Sequence, residues 1–127
     1  MNRAALDDWV SRHEAAWRRP GTQRLRELFT VDATYSPGPY EPLVRGLDAI
    51  ERFWEDEREG PDEVFAISSE PVAVEGDTGV VRVEVRYGDP VVQAYLDLWI
   101  VALDPDGRCT RFEEWPFWPG KGRTPSS

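Results

Sequence analysis

A chain of 127 residues is long enough for one domain with a real core and short for two. With 40% apolar and 31% charged residues it suits an ordered globule rather than a disordered chain. A formal net charge of −9 argues against nucleic acid and against anionic membranes as partners, because both select basic surfaces.

The one cysteine, Cys109, excludes an internal disulfide, fits no zinc spacing and reads as a plain strand residue. A single histidine and scattered carboxylates make a poor metal cage, so no metal is expected. The only Gly-x-Gly, Gly120-Lys121-Gly122, follows no βα unit, so no nucleotide cofactor is expected either. No apolar run reaches membrane-spanning length, and Met1 to Asp8 carry no signal-peptide pattern. The default expectation is a cytoplasmic protein. Lys121 is the only lysine among 15 basic residues, an arginine bias that suits a high-GC bacterial genome.

In chain order, residues 3–19 read as a helix. Leu6, Val10, His13 and Trp17 recur at spacings of four, three and four, so His13 lies on the apolar stripe. Pro20-Gly21 ends it, and Thr22 is placed to cap a short second helix with Leu25, Leu28 and Phe29 inward. A short strand over Ala33 to Ser36 is broken by Pro37-Gly38-Pro39. Gly46 precedes a third helix from about Leu47 to Glu59, with Asp48 near its start, Ile50, Phe53 and Trp54 on its apolar face, and Gly60-Pro61 closing it. Strands follow near 63–75, 78–88, 91–104 and 107–118, separated by Gly76-Asp77, Gly88-Asp89-Pro90 and Asp104-Pro105-Asp106-Gly107. The Gly-, Pro- and Ser-rich tail, 119–127, is expected to fray. Helices first and a meander afterwards predict one α+β domain over 3–118, with helices covering one side of a curved antiparallel sheet.

The sharpest local feature is in the third long strand. Tyr95, Asp97 and Trp99 alternate with Ala94, Leu96, Leu98 and Ile100, so a carboxylate shares a face with two aromatic rings. Such a carboxylate is costly unless solvated, hydrogen-bonded or protonated. A three-residue loop at Gly88 to Pro90 sets Val83 opposite Tyr95 and Val81 opposite Asp97. A four-residue loop at Asp104 to Gly107 sets Trp99 opposite Phe112 and Asp97 opposite Glu114. Val81, Val83, Val85, Tyr95, Asp97, Trp99, Phe112 and Glu114 then line one side of the sheet. The other side carries Arg82, Glu84 and Arg86 beside Leu96, Leu98 and Ile100. A strip of that kind is usually covered, and a second copy of the chain is the simplest cover.

Leu28-Phe29-Thr30-Val31-Asp32-Ala33-Thr34-Tyr35, then Gly46-Leu47-Asp48-Ala49-Ile50-Glu51-Arg52-Phe53-Trp54, then a four-strand meander, resembles the nuclear transport factor 2-like superfamily. Within it the chain is similar to the SnoaL-like branch, which includes polyketide cyclases and lies close to ketosteroid isomerase. The resemblance implies a cystatin-like cone, in which three N-terminal helices pack on a strongly bent sheet around a cavity, commonly as a homodimer. Laid over the isomerase pattern, the catalytic base falls near Pro37, which is no base. The tyrosine falls near His13, and the protonated acid falls at Trp99, with Asp97 two residues away on the same face.

Two functional readings follow. In the first, Asp97 and Glu114 form a buried acid pair with His13 above them, exchanging protons near neutral pH with a small, mostly apolar, oxygenated molecule in a cofactor-free cyclisation, isomerisation or dehydration. Trp17, Trp54, Tyr95, Trp99 and Phe112 grip that molecule, and Tyr35 and Tyr40 orient its polar group. In the second, the same cavity binds without turnover, or the chain serves as an accessory or dimerisation domain. Asp97 held by a structural partner and His13 as a satisfied core residue are the bland counterparts.

Overall fold

The computed structural model describes residues 1–57 and 64–119. The predicted closure of the third helix at Gly60-Pro61, the start of the following strand and the tail beyond Pro119 lie outside the described residues. Helix α1 (Arg3–Arg18) begins at Asn2, whose side chain accepts from the Ala5 amide at 2.8 Å, satisfying one of the donors a helix start leaves open. Helix α2 (Leu25–Leu28) is a single turn. Thr22 does not cap it through its side chain. The preceding residue is Arg24, and Thr22 contributes its carbonyl to the Leu25 amide at 3.1 Å.

Six strands form one sheet: β1 (Phe29–Ser36), β2 (Val44–Arg45), β3 (Phe65–Glu75), β4 (Thr78–Tyr87), β5 (Gln93–Leu103) and β6 (Cys109–Phe117). Helix α3 (Leu47–Glu57) interrupts them after β2. The order is β2-β1-β6-β5-β4-β3, with β1 and β6 parallel and every other pair antiparallel. The strand expected at Ala33 begins at Phe29, and β2 was not anticipated. Register shifts at Pro71/Ala73 and Ala102/Leu103 bend the long strands, giving the sheet its curvature.

The meander turns are longer than predicted. Tyr87 faces Gln93, not Val91, so residues 88–92 form the connection, and the Val92 amide closes it on the Tyr87 carbonyl at 2.9 Å. Pairing moves by two residues: Val81 faces Trp99, Val83 faces Asp97 and Val85 faces Tyr95. At the next turn Leu103 faces Cys109, because Asp104 Oδ1 accepts from the amides of Asp106 and Arg108 and so stretches the turn. That one-residue slip alone would exchange the two faces of β6. The bulge beside Leu103 adds a second, and the expected face is restored. Trp99 therefore faces Glu114 and Val101 faces Phe112, rather than Trp99 facing Phe112 and Asp97 facing Glu114.

The inner face reads in rows: Gly79–Val101–Phe112, Val81–Trp99–Glu114, then Val83–Asp97–Pro116. Helix α1 lies over it with Leu6, Trp9, Val10, His13 and Ala16 buried, and α3 adds Ile50 and Trp54. Arg12 ties three elements together through Asp8 at 2.9 Å, the Glu27 carbonyl at 3.1 Å and the Gly107 carbonyl at 3.0 Å. Arg18 clamps the far end of α1 to β3, donating to the Phe65 carbonyl at 3.2 Å with its guanidinium 4.1 Å from the Phe65 ring centre. Cys109 is buried in β6, and burial pushes its thiol up to about 12.

Candidate functional site

Asp97 sits mid-strand on the inner face and is only 3% exposed. Its neighbours across the sheet are Val83 and Pro116, which offer no side-chain donor. Trp99, two residues along the same strand, donates from Nε1–H to Oδ2 at 3.3 Å. Oδ1 has no hydrogen-bond partner among the described residues. A buried carboxylate oxygen left open in this way is rare, because an unsatisfied buried polar group costs about 1–3 kcal/mol.

His13 is 8% exposed and enclosed by rings. The centroid of Trp99 lies 4.6 Å away, Trp54 5.1 Å, Trp9 5.3 Å and Phe112, nearly parallel to it, 5.9 Å. Neither ring nitrogen has a partner among the described residues. Burial lowers its pKa to about 3. Burial thus favours the neutral imidazole, which has one N–H and one lone pair on offer, over the proton exchange near neutral pH expected from the sequence.

Tyr35, from β1, packs against Phe112 at 4.7 Å and Phe53 at 5.2 Å. Burial raises the pKa of its phenol well above the usual range, and the charges of Glu114, Asp97 and Glu57 push it further in that direction. The phenol stays protonated, and those three carboxylates lie close enough for their fields to reach it. Glu114 is half-buried beside Trp99, two residues out of register with Asp97 rather than opposite it, so the predicted acid pair is diagonal.

The remaining predicted residues divide. Trp17 stacks edge-on against Trp54 at 5.0 Å, and Trp54, Trp99 and Phe112 form the box around His13. Tyr95 lies one row beyond Asp97, against Tyr87 and Trp118. Tyr40 does not join them: it stands fully exposed in the connection after β1. Trp9 is the residue that sequence reasoning missed. It is fully buried, donates from Nε1 to the Leu28 carbonyl at 3.0 Å, and contacts His13, Phe29 and Phe112. Its signal was present, since Leu6, Trp9, His13 and Ala16 are spaced three, four and three. A cleft of about 430 Å³ also reaches Trp54, but from the end of α1 and the 19–25 segment, and neither Asp97 nor Tyr35 lines it.

A small α+β domain whose bent sheet holds an enclosed carboxylate among aromatic rings defines a recognisable class. The SnoaL-like domain profile matches residues 10–112, and the chain belongs to that family. Among solved structures, a provisionally named SnoaL-like polyketide cyclase from Jannaschia sp. CCS1 superposes with a TM-score of 0.71 at 19% identity, covering 91% of this chain and 90% of its own. A provisionally named polyketide cyclase from Sinorhizobium meliloti gives a TM-score of 0.62 at 25% identity, over 87% and 97% of the two chains. A ketosteroid isomerase-like protein from Erwinia carotovora atroseptica SCRI1043 gives 0.64 at 21% identity, over 92% and 98%. No curated protein matches the sequence.

Proposed function

We propose that this chain binds a small, flat, mostly apolar molecule bearing a carbonyl or hydroxyl oxygen, and that Asp97 performs cofactor-free acid–base chemistry on it. The observation that carries the reading is the Asp97 carboxylate, 3% exposed with Oδ1 unpartnered among the described residues. An oxygen with no competing donor is available to accept a proton from carbon or oxygen and to return it elsewhere, the step shared by isomerisation, cyclisation and dehydration. Tyr35, held protonated, donates to the substrate oxygen. His13 serves as a neutral hydrogen-bonding group rather than a proton shuttle. Glu114 adds a second carboxylate near the same phenol. In this reading the three helices and bent sheet make a cystatin-like cone, with Trp17, Trp54, Tyr95, Trp99 and Phe112 gripping the ligand's faces.

The test uses 2-tetralone as probe, following deuterium incorporation from D2O at the carbons beside its carbonyl. Wild type accelerates exchange, and Asp97→Asn abolishes the acceleration while still binding the ketone. Equal exchange in the two proteins refutes the catalytic role. Binding without any exchange in wild type supports the second reading, a non-catalytic binding domain. Pro37, where the resemblance would place a base, favours that alternative.

The outer sheet face supports a homodimer. Leu96 faces Phe117 and Leu98 faces Trp115 across β5 and β6, and Leu96 is 60% exposed and Phe117 43%. Ile100 continues the strip on β5, while Arg82, Glu84 and Arg86 flank it on β4 with ion pairs Arg82–Glu70 and Arg86–Glu84. Five large apolar side chains on adjacent strands, rimmed by charge, have the makeup of an interface core.

A further inference from the structure

We infer that the cleft at the end of α1 is a second binding site, for a small amphipathic carboxylate with a flat apolar body. The cleft, open to solvent on one side, has a volume of about 430 Å³, within the range of small-molecule sites. Its base is apolar: Ala16 from α1, Leu25 from α2 and Trp54 from α3. Its rim is polar and cationic, with Arg19 and Arg24 flanking Thr22 and Gln23.

The charge of that rim is the decisive feature. The chain carries 24 acidic residues and a net charge of −9, yet among the described residues no acidic side chain lines the cleft. On α1, Arg12 pairs with Asp8 and Arg18 with Glu14, both at 2.9 Å, and Arg3 donates to the Pro71 carbonyl at 3.0 Å. Arg19 and Arg24 have no carboxylate partner among the described residues. Arg19 follows α1 directly, where a cation complements the helix dipole. Arg24 has no such role, since it stands at the start of α2, where a cation is electrostatically misplaced. Two arginines and an indole lining one cleft fit an anion attached to a ring: the guanidiniums bind the carboxylate and the base takes the apolar body.

The walls are already built. Arg19 donates its amide to the Ala16 carbonyl at 3.3 Å, Leu25 to Thr22 at 3.1 Å and Glu27 to Arg24 at 3.1 Å. Gly21 has φ +84°, and the Gln23 carboxamide lies where a Cβ on Gly21 would stand, so the segment is folded onto itself. A preformed rim loses little freedom on binding. The site does not depend on the role given to Asp97, because the two share only the Trp54 ring, which packs on His13 on one side and lines the cleft on another.

The test compares naphthalene-2-carboxylate with the neutral 2-naphthylmethanol, titrated into the full chain and followed by NMR. The carboxylate is expected to shift the Gly21 and Gln23 amides and the Trp54 indole N–H, and to bind about tenfold or more tightly than the alcohol. Arg19→Gln with Arg24→Gln should cancel that preference with the spectrum of the fold unchanged, while Asp97→Asn leaves it intact. Equal affinity for acid and alcohol, a preference that survives the double substitution, shifts centred on Tyr35 and Val83 instead, or no binding at all would each overturn the assignment.

Discussion

At His13 the local chemistry has a consequence for the whole fold. An imidazole whose pKa falls from 6.5 to about 3 on folding stays neutral while the unfolded chain takes up a proton. Stability is therefore full above pH ~6.5 and falls as the pH drops toward 3, by up to about 1.4 kcal/mol per pH unit from this group. Urea unfolding between pH 7 and 4 should show that slope, and His13→Phe, which keeps a ring in the box, should flatten it. An unchanged slope would mean that the imidazole is protonated in place. Cys109 gives a second residue-level expectation. With a thiol pushed up to about 12 and buried, it should not react with a thiol reagent in the native protein at pH 8 and should react fully once unfolded. Fast native labelling would contradict the packing of β6. The line of residues on α1 was legible from spacing alone, and His13 was placed on the correct face. Its protonation was not, because a sequence does not say that Trp9, Trp54, Trp99 and Phe112 close around one ring.

Between elements, the contact of α1 with β4 is set by size. An ideal Cβ on Gly79 would stand 2.6 Å from a Leu6 methyl in a fully buried position. Gly79→Ala should therefore cost about 1–3 kcal/mol by chemical denaturation. In the Leu6→Val background the same substitution should cost less, and equal costs in both backgrounds would show that the helix does not seat on this row. The pattern of the meander explains how much the sequence could say about it. Alternation of apolar and polar residues assigned Val83, Asp97, Trp99 and Phe112 to one face, and they share it. The partners across the ladder were two residues out. Turn length depends on Asp104 capturing the Asp106 and Arg108 amides, and on a bulge beside Leu103, which leave no period in the sequence. Strand β2 was invisible for a related reason: two residues, Val44 and Arg45, are too few to show alternation and are held by pairing with β1.

For the whole molecule, the outer sheet face and the interior carry separate expectations. Leu98→Glu with Trp115→Glu places two charges in the centre of the exposed strip, where Leu98 and Trp115 face each other. Sedimentation velocity should show a dimer for the wild type and a monomer of unchanged secondary structure for the double variant. A wild-type monomer at tens of micromolar would remove the dimer. The class of fold followed from element order, and the family relation agrees with it over residues 10–112. The chemistry of the interior rests on a single strand position. The most direct measurement is a crystal structure of the protein grown with 2-tetralone. The ketone is expected among Trp54, Trp99 and Phe112, with a carbon beside its carbonyl within van der Waals reach of Asp97 Oδ1. A ketone found only in the Arg19–Arg24 cleft or on the outer face, with Asp97 untouched, would contradict it.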